Sequence, residues 1–317
     1  MGLDYDISTN EQEFVLEALK QNVRLDGRKL LDMRDVKISI LPSEYGHVEV
    51  SLGKTRVACK VSAEIVKPYE DRPFEGIFQI NTEISPMCSP FFEIGQGSSG
   101  SGSNSRQANE EVLISRMIEK AVRRSNALDI ESLCIVAGSK CWAVRADLHF
   151  LNYDGNFIDA SCIAVMTALL HFRKPDIEVA GEEVVVYDTN QREPVPLSIL
   201  HVPICITFNF YNPNGNEENV KGELNNELIL ADASLIEERL SLGTMTITLN
   251  KNQEICQLLK SGGLNIDASL IMNCCLYASK LVSRLNDEIH EVLKEDSKKR
   301  RNVREEKELQ VFNERES

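Results

Sequence analysis

The stretch "CWAVRADLHFLNYDGNFIDASCIAVMTALLH", residues 141–171, decides the fold. Residues 141–151 read as a strand, the second arm of a hairpin. Its first arm is "LCIVAG" (133–138), and the chain reverses at Gly138-Ser139-Lys140. "LNYDGNFIDAS" (151–161) reads as a loop, and an apolar helix follows over 160–171. Asp154-Gly155 suits a turn. Asp159 suits the N-cap of the helix, where a carboxylate accepts from free N–H groups and meets the positive end of the helix dipole. A loop with two aspartates between strand and helix can hold an active site, or only a shape.

Working outward, the chain upstream is rich in strands. "VKISI" (36–40), "HVEVSL" (47–52) and "TRVACKVSAEIV" (55–66) alternate apolar and polar residues. Turns at Gly46 and Gly53-Lys54 make them an antiparallel meander, with "IFQINTEIS" (77–85) as a further strand. Before them, "STNEQEFVLEALKQN" opens with Ser8 and Glu11, a capping box, and buries Phe14, Val15, Ala18 and Leu19. Residues 92–106, "FEIGQGSSGSGSNSR", are expected to form a flexible surface loop. A helix, 109–125, follows.

Downstream, from about 176, the pattern repeats loosely. Strands are expected at 183–187, 201–210, 226–231, 244–250 and 253–260, with a short helix at 233–241 and an insert-like turn, "YNPNGNEENVKGE". A long helix begins after Asp267, with Leu270, Cys274, Ala278, Leu281, Leu285, Ile289 and Val292 as its stripe. The fold class is therefore α+β, in two parts: 1–175, 176–296, and a charged tail, 297–317, expected to fray into solvent.

Composition narrows the function. The chain has 317 residues, 42% hydrophobic and 26% charged, as expected for a globular protein with a sizeable core. No apolar run approaches the roughly 20 residues of a membrane span, and the acidic start "MGLDYDISTNEQEF" has no apolar signal region. Asp6 stands where a myristoylation motif needs Ser or Thr. The nine cysteines are odd in number, lack a CxxC and mostly sit in apolar runs, so they read as buried small hydrophobes in a reducing compartment. No metal site and no cofactor is expected, because ligands at metal-binding spacing are missing. The five histidines form no nucleophile motif with Ser or Cys. A net charge of −14 repels nucleic acid from the chain as a whole, so RNA contact would need a local basic patch.

One patch is present. Arg116, Lys120 and Arg123 stand at i, i+4 and i+7 on helix 109–125, with Arg124 beside them, while Val112, Met117, Ala121 and Val122 can pack inward. The residues alone leave two readings open: a phosphate track, or a solvated face paired to Glu119.

Several strings together resemble the RNase PH family: "RLDGR" (24–28), "YEDRPFEGIFQINTEISPM" (69–87), residues 116–170 and "QREPVPLSILHVPICITF" (191–208). Within it they are most similar to PH-ring subunits of the eukaryotic RNA exosome, of the polymyositis/scleroderma-autoantigen type. The resemblance covers roughly residues 5–295. It implies two halves of the ribosomal-protein-S5-like kind, in a hetero-hexameric ring of PH-like subunits around an RNA channel. Cap proteins with OB- and KH-type domains and an RNase II/R-like nuclease are the further partners it implies. It also implies single-stranded RNA as the ligand, no membrane, and a location in the nucleus, including the nucleolus, and the cytoplasm.

The same resemblance bears on chemistry. Phosphorolysis must hold a phosphate with cations and helix N-terminal donors, and a carboxyl must help the leaving oxygen. Active relatives cradle phosphate with Gly-Thr-Arg; here Asn156, Phe157 and Ile158 occupy those positions. Loss of the arginine removes several kcal/mol of oxyanion stabilisation. Acidic residues expected in the second half are missing from "HVPICITFNFYN" (201–212). Asp232, Glu237 and Glu238 read as an acidic helix start, although they resemble a "DPxxEE" stretch of inactive ring members. Arg24, Asp26 and Arg28 are expected to form an interdomain or intersubunit hydrogen-bond cluster. Relatives guide RNA with arginines matching Arg116 and Lys120, which favours RNA contact there and, more weakly, at Arg72. The expected function is a non-catalytic exosome ring subunit that scaffolds the ring and guides RNA for 3′-to-5′ processing and decay. The competing reading is an active phosphate-dependent exoribonuclease.

Overall fold

The computed structural model describes residues 7–42, 44–89, 92, 103–180, 183–187, 191–211, 228–262 and 265–309. The N-terminal helix α1 (Thr9–Lys20) has the expected capping box between Ser8 and Glu11, and buries Val15 and Leu19. Phe14 stays 63% exposed, against expectation.

The first half is built on one sheet. Strands β1 (Val36–Ile40), β2 (His47–Leu52) and β3 (Thr55–Val66) form the expected antiparallel meander. Strand β4 (Ile77–Ile84) does not continue it. After helix α2 (Ser103–Glu119) and the short β5 (Cys134–Val136), strand β6 (Lys140–Asn152) inserts between β3 and β4, antiparallel to the first and parallel to the second. The order is β1-β2-β3-β6-β4. Alternating residues of β6, Val144, Ala146, Leu148 and Phe150, face the core.

Helix α2 begins at Ser103, inside the stretch expected to be loop; residues 93–102 lie outside the described residues. Its buried stripe is Ile114, Met117 and Ile118, continued by Ala121 and Val122 in one π turn, Lys120–Arg124. Val112 does not pack inward as expected; it is exposed.

Helix α3 (Phe157–His171) holds the two halves together. Thirteen of its residues are buried. It packs on β2 and β3 on one side and on the second sheet on the other. A helix apolar all round belongs in a core, and each large side chain there contributes about 1.5–3 kcal/mol.

The link carries the small strands β7 (Arg173–Lys174), β8 (Ile177–Ala180), β9 (Glu183–Val186) and β10 (Val195–Pro196). The second sheet comprises β11 (Ile204–Tyr211), β12 (Leu228–Ala231), β13 (Gly243–Leu249) and β14 (Ile255–Gly262), all antiparallel in the order β12-β11-β13-β14. Helix α4 (Leu235–Leu240) follows β12, and most of the insert-like turn lies outside the described residues. β11 is buried throughout, so it reads as a continuous apolar run.

Helix α5 runs unbroken over Ala268–Leu309. The tail expected to fray from residue 297 is therefore helical as far as 309. Arg300 explains part of this. Its guanidinium donates to the carbonyls of Leu41 (2.9 Å) and Glu44 (3.4 Å), pairs with Asp296 (2.6 Å) and lies 4.5 Å over the Tyr45 ring. Asp296 also faces His171 Nε2 at 3.2 Å. No described helix is long and apolar enough to cross a membrane.

Candidate functional site

Two places carry the charged residues singled out from the sequence. The first is the start of α3. Helix α3 begins three residues earlier than expected, and its N-cap is Asn156, in the left-handed conformation, with φ 58°. Asp159 is thus not the cap. It lies inside the first turn, fully buried, accepting from Asn156 Nδ2 (2.8 Å), the Thr207 N–H (2.9 Å) and Thr207 Oγ1 (2.7 Å). Burial pushes its carboxyl up to about 7, against those hydrogen bonds.

The helix start is crowded with the chain's own carboxylates. Glu238 accepts from the Asn156 N–H (2.9 Å) and the Tyr153 hydroxyl (3.3 Å). Burial pushes it above the usual range, partly offset by these two donors. Asp232 accepts from Asn156 Nδ2 (2.7 Å), Arg34 Nη2 (2.7 Å), Arg34 Nε (2.8 Å) and the Arg34 N–H (2.8 Å). Burial raises Asp232, but the Arg34 guanidinium outweighs it and holds the carboxyl below its ordinary value. Arg34 also donates to the carbonyls of Asp154 (2.8 Å) and Gly155 (3.2 Å). Gly155 sits at φ +83°; a Cβ there would fall 2.7 Å from the Ala233 carbonyl oxygen.

Phe157 and Ile158 complete the filling. The Phe157 ring lies 4.2 Å from the rings of Phe150 and Tyr153, and 6.3 Å from Phe92. Phe92, expected in a flexible loop, is buried here. Ile158 packs against the core. Carboxylates and apolar side chains thus crowd the start of α3 and take up its donors.

Asp232, Glu237 and Glu238 are more than an acidic helix start. Glu237 does close the capping box with Ser234, but its carboxylate also takes Arg24 at 2.6 Å, both side chains buried. Arg28 pairs with Asp26 (2.6 Å) and Asp232 (3.1 Å). The Arg24–Asp26–Arg28 cluster is therefore interdomain, within one chain.

The second place is a concavity of about 410 Å³ lined by Arg72, Arg116, Glu119, Lys120, Arg123 and Arg124. It brings together all five basic residues singled out from the sequence. Arg116 comes from the end of α2, the next three from the π turn, and Arg72 from the turn between β3 and β4. Arg72 pairs with Glu75 (3.1 Å) and Arg123 with Glu119 (3.4 Å). Among the described residues, Arg116, Lys120 and Arg124 are in no ion pair. A second crevice of about 200 Å³ adjoins it, sharing Arg72, Glu119 and Arg123 and lined also by Tyr69, Glu75 and Phe78.

Sequence matching decides the family. Residues 32–175 match domain 1 of the RNase PH 3′ exoribonuclease family, and residues 201–280 match domain 2. The chain belongs to the RNase PH family. It is 56% identical over 300 residues to the exosome complex component RRP45 of Saccharomyces cerevisiae, covering 95% of each chain. Its identity to the Schizosaccharomyces pombe component of that name is 50%, again over 95% of each. The archaeal exosome of Archaeoglobus fulgidus, solved with RNA bound to its active site, contains a chain similar in fold, at TM-score 0.71 and 27% identity. The match covers 89% of this chain and 99% of that one.

For an RNase PH chain, the sequence reading missed Arg34 and Tyr69. Arg34 lies between two aspartates, and nothing local marks it as the buried partner of Asp232, 198 residues away. Nothing local marks Tyr69 either; its 60% exposure beside a basic concavity is a tertiary fact. Among the histidines, His201 does approach Ser125 (3.1 Å) and Cys256 (3.9 Å). Ser125 Oγ also donates to the Ala121 carbonyl, and burial pushes the Cys256 thiol up, so neither is an activated nucleophile. Among the described residues no cluster of three or more His, Cys, Asp or Glu side chains could hold a metal.

Proposed function

We propose that this chain is a catalytically silent ring subunit of an RNA exosome. It packs between PH-like neighbours and presents its basic concavity to single-stranded RNA. The convergence of Arg72, Arg116, Lys120, Arg123 and Arg124 on one concavity, in a chain of net charge −14, carries the RNA part of this reading. Phosphate attraction is local where cations cluster, and the exposed Tyr69 nearby offers a base a stacking face. The near-complete match to two yeast exosome components supports the ring assignment.

The silent part of the proposal rests on the start of α3. Glu238 and Asp232 take the donors that would hold phosphate, and Arg34 is consumed by Asp232. In this reading catalysis belongs to a partner, an RNase II/R-like nuclease, with OB- and KH-type cap proteins on the opposite face. The assembly would act in the nucleus, nucleolus and cytoplasm on ribosomal, messenger and non-coding RNA.

The test is phosphate-dependent decay by the assembled ring without its nuclease. No nucleoside diphosphate should be released. Release that stops on substituting Asn156 or Asp159 would establish an active phosphorolytic subunit instead.

A further inference from the structure

Among the described residues, the basic concavity contains one carboxylate, Glu119, and that carboxylate also lines the adjoining crevice. It sits at the junction of α2 and the π turn, so its side chain points among the cations the π turn supplies. Its partner is Arg123, at 3.4 Å, and both side chains are partly exposed, 36% and 41%. Such an exposed, long pair is weak and exchanges readily. Arg72 is held in the same way by Glu75. Among the described residues, two of the five cations are thus paired, and Arg116, Lys120 and Arg124 are left to bind.

We propose that Glu119 tunes the affinity of the concavity and keeps RNA contact weak and reversible. It does so by holding Arg123 in reserve and opposing phosphate at the mouth of the crevice. The inference rests on the RNA-guiding reading above. A subunit that guides a moving strand gains nothing from tight binding: each phosphate must leave as the next arrives. Phosphate displaces Glu119 from Arg123 as the strand enters, and Glu119 recovers Arg123 as it leaves. The exchange is non-covalent, and no proton need move.

The experiment compares Glu119→Gln with Lys120→Glu in the full assembled ring, using a fluorescein-labelled oligouridine and anisotropy titrations across a series of salt concentrations. Glu119→Gln keeps the side-chain length and removes the charge. It should tighten binding about two- to fivefold, the range expected when one exposed pair is released. It should also steepen the log–log salt slope by about 0.7, one added phosphate contact on a single strand. Lys120→Glu should weaken binding. If Lys120→Glu weakens it and Glu119→Gln changes neither affinity nor slope, the role of Glu119 is overturned while the concavity remains an RNA site. If neither changes binding, the RNA-guiding reading itself falls.

Discussion

The backbone N–H of Asn156, at the start of α3, donates to the carboxylate of Glu238 at 2.9 Å, across 82 residues of sequence. A helix N-terminus is a ready anion site, and here the anion is a side chain of the second half. The contact ties the two halves together and takes up a donor at the helix start.

Replacing Glu238 tests that bond. Glu238→Gln retains an oxygen for the Asn156 N–H and should change stability little. Glu238→Ala strands the N–H and the Tyr153 hydroxyl, and should cost about 1–3 kcal/mol. Urea unfolding of the two variants measures the difference.

Asp159 makes stability depend on pH. Its carboxyl lies near 7 in the folded chain and near 3.9 unfolded. Between those values the folded state binds the extra proton, so stability falls as pH rises from about 4 to about 7, then levels. In Asp159→Asn the remaining Oδ can serve both Asn156 and the Thr207 N–H, because one carboxylate oxygen serves both now. The new amide can donate to Thr207 Oγ1, whose hydroxyl turns toward Thr246, 3.2 Å away. The variant should match the parent near pH 4 and exceed it by roughly 2–4 kcal/mol at pH 8. Thermal or urea unfolding at the two pH values checks it; equal curves at pH 8 would contradict it.

Gly155 permits the close approach of loop and second half. Gly155→Ala places a methyl against the backbone of Ala233 and Ser234 at a left-handed φ. A loss of about 1–3 kcal/mol is expected, read as a lower unfolding midpoint with the helix content unchanged.

Arg300 fastens the outer part of α5 to the turn between β1 and β2. Arg300→Ala should open residues 297–309 locally, raising their amide exchange severalfold, with little change in the exchange of β6 or α3. Uniform exchange across the chain would show a global effect instead.

How far the sequence reached is visible in these residues. β1, β2 and β3 were legible to the residue, because a half-buried antiparallel strand shows a period of two. The grouping of Arg116, Lys120, Arg123 and Arg124 was legible because they are neighbours along one helix; that Arg72 joins them in one concavity is a tertiary fact. The first turn of α3 was not. Asp159 has an N-cap's chemistry, but Asn156 takes the left-handed position and the helix starts earlier. The insertion of β6 between β3 and β4 was hidden as well, because strand order is not a property of any window. Sequence marked Arg24 as a cluster residue but not its partner: Glu237 stands 213 residues away, and Asp232, the partner of Arg34, stands 198 away.

Charge reversal in the concavity tests the central claim most directly. In an assembled complex carrying Arg116→Glu and Lys120→Glu, the length of RNA protected from external nuclease and the processivity of 3′-to-5′ decay are measured together, with ring assembly checked by mass. Both substitutions are on exposed positions, so the ring should form. The account predicts shorter protected fragments and earlier release of RNA. Unchanged protection and unchanged processivity in an intact ring would contradict it.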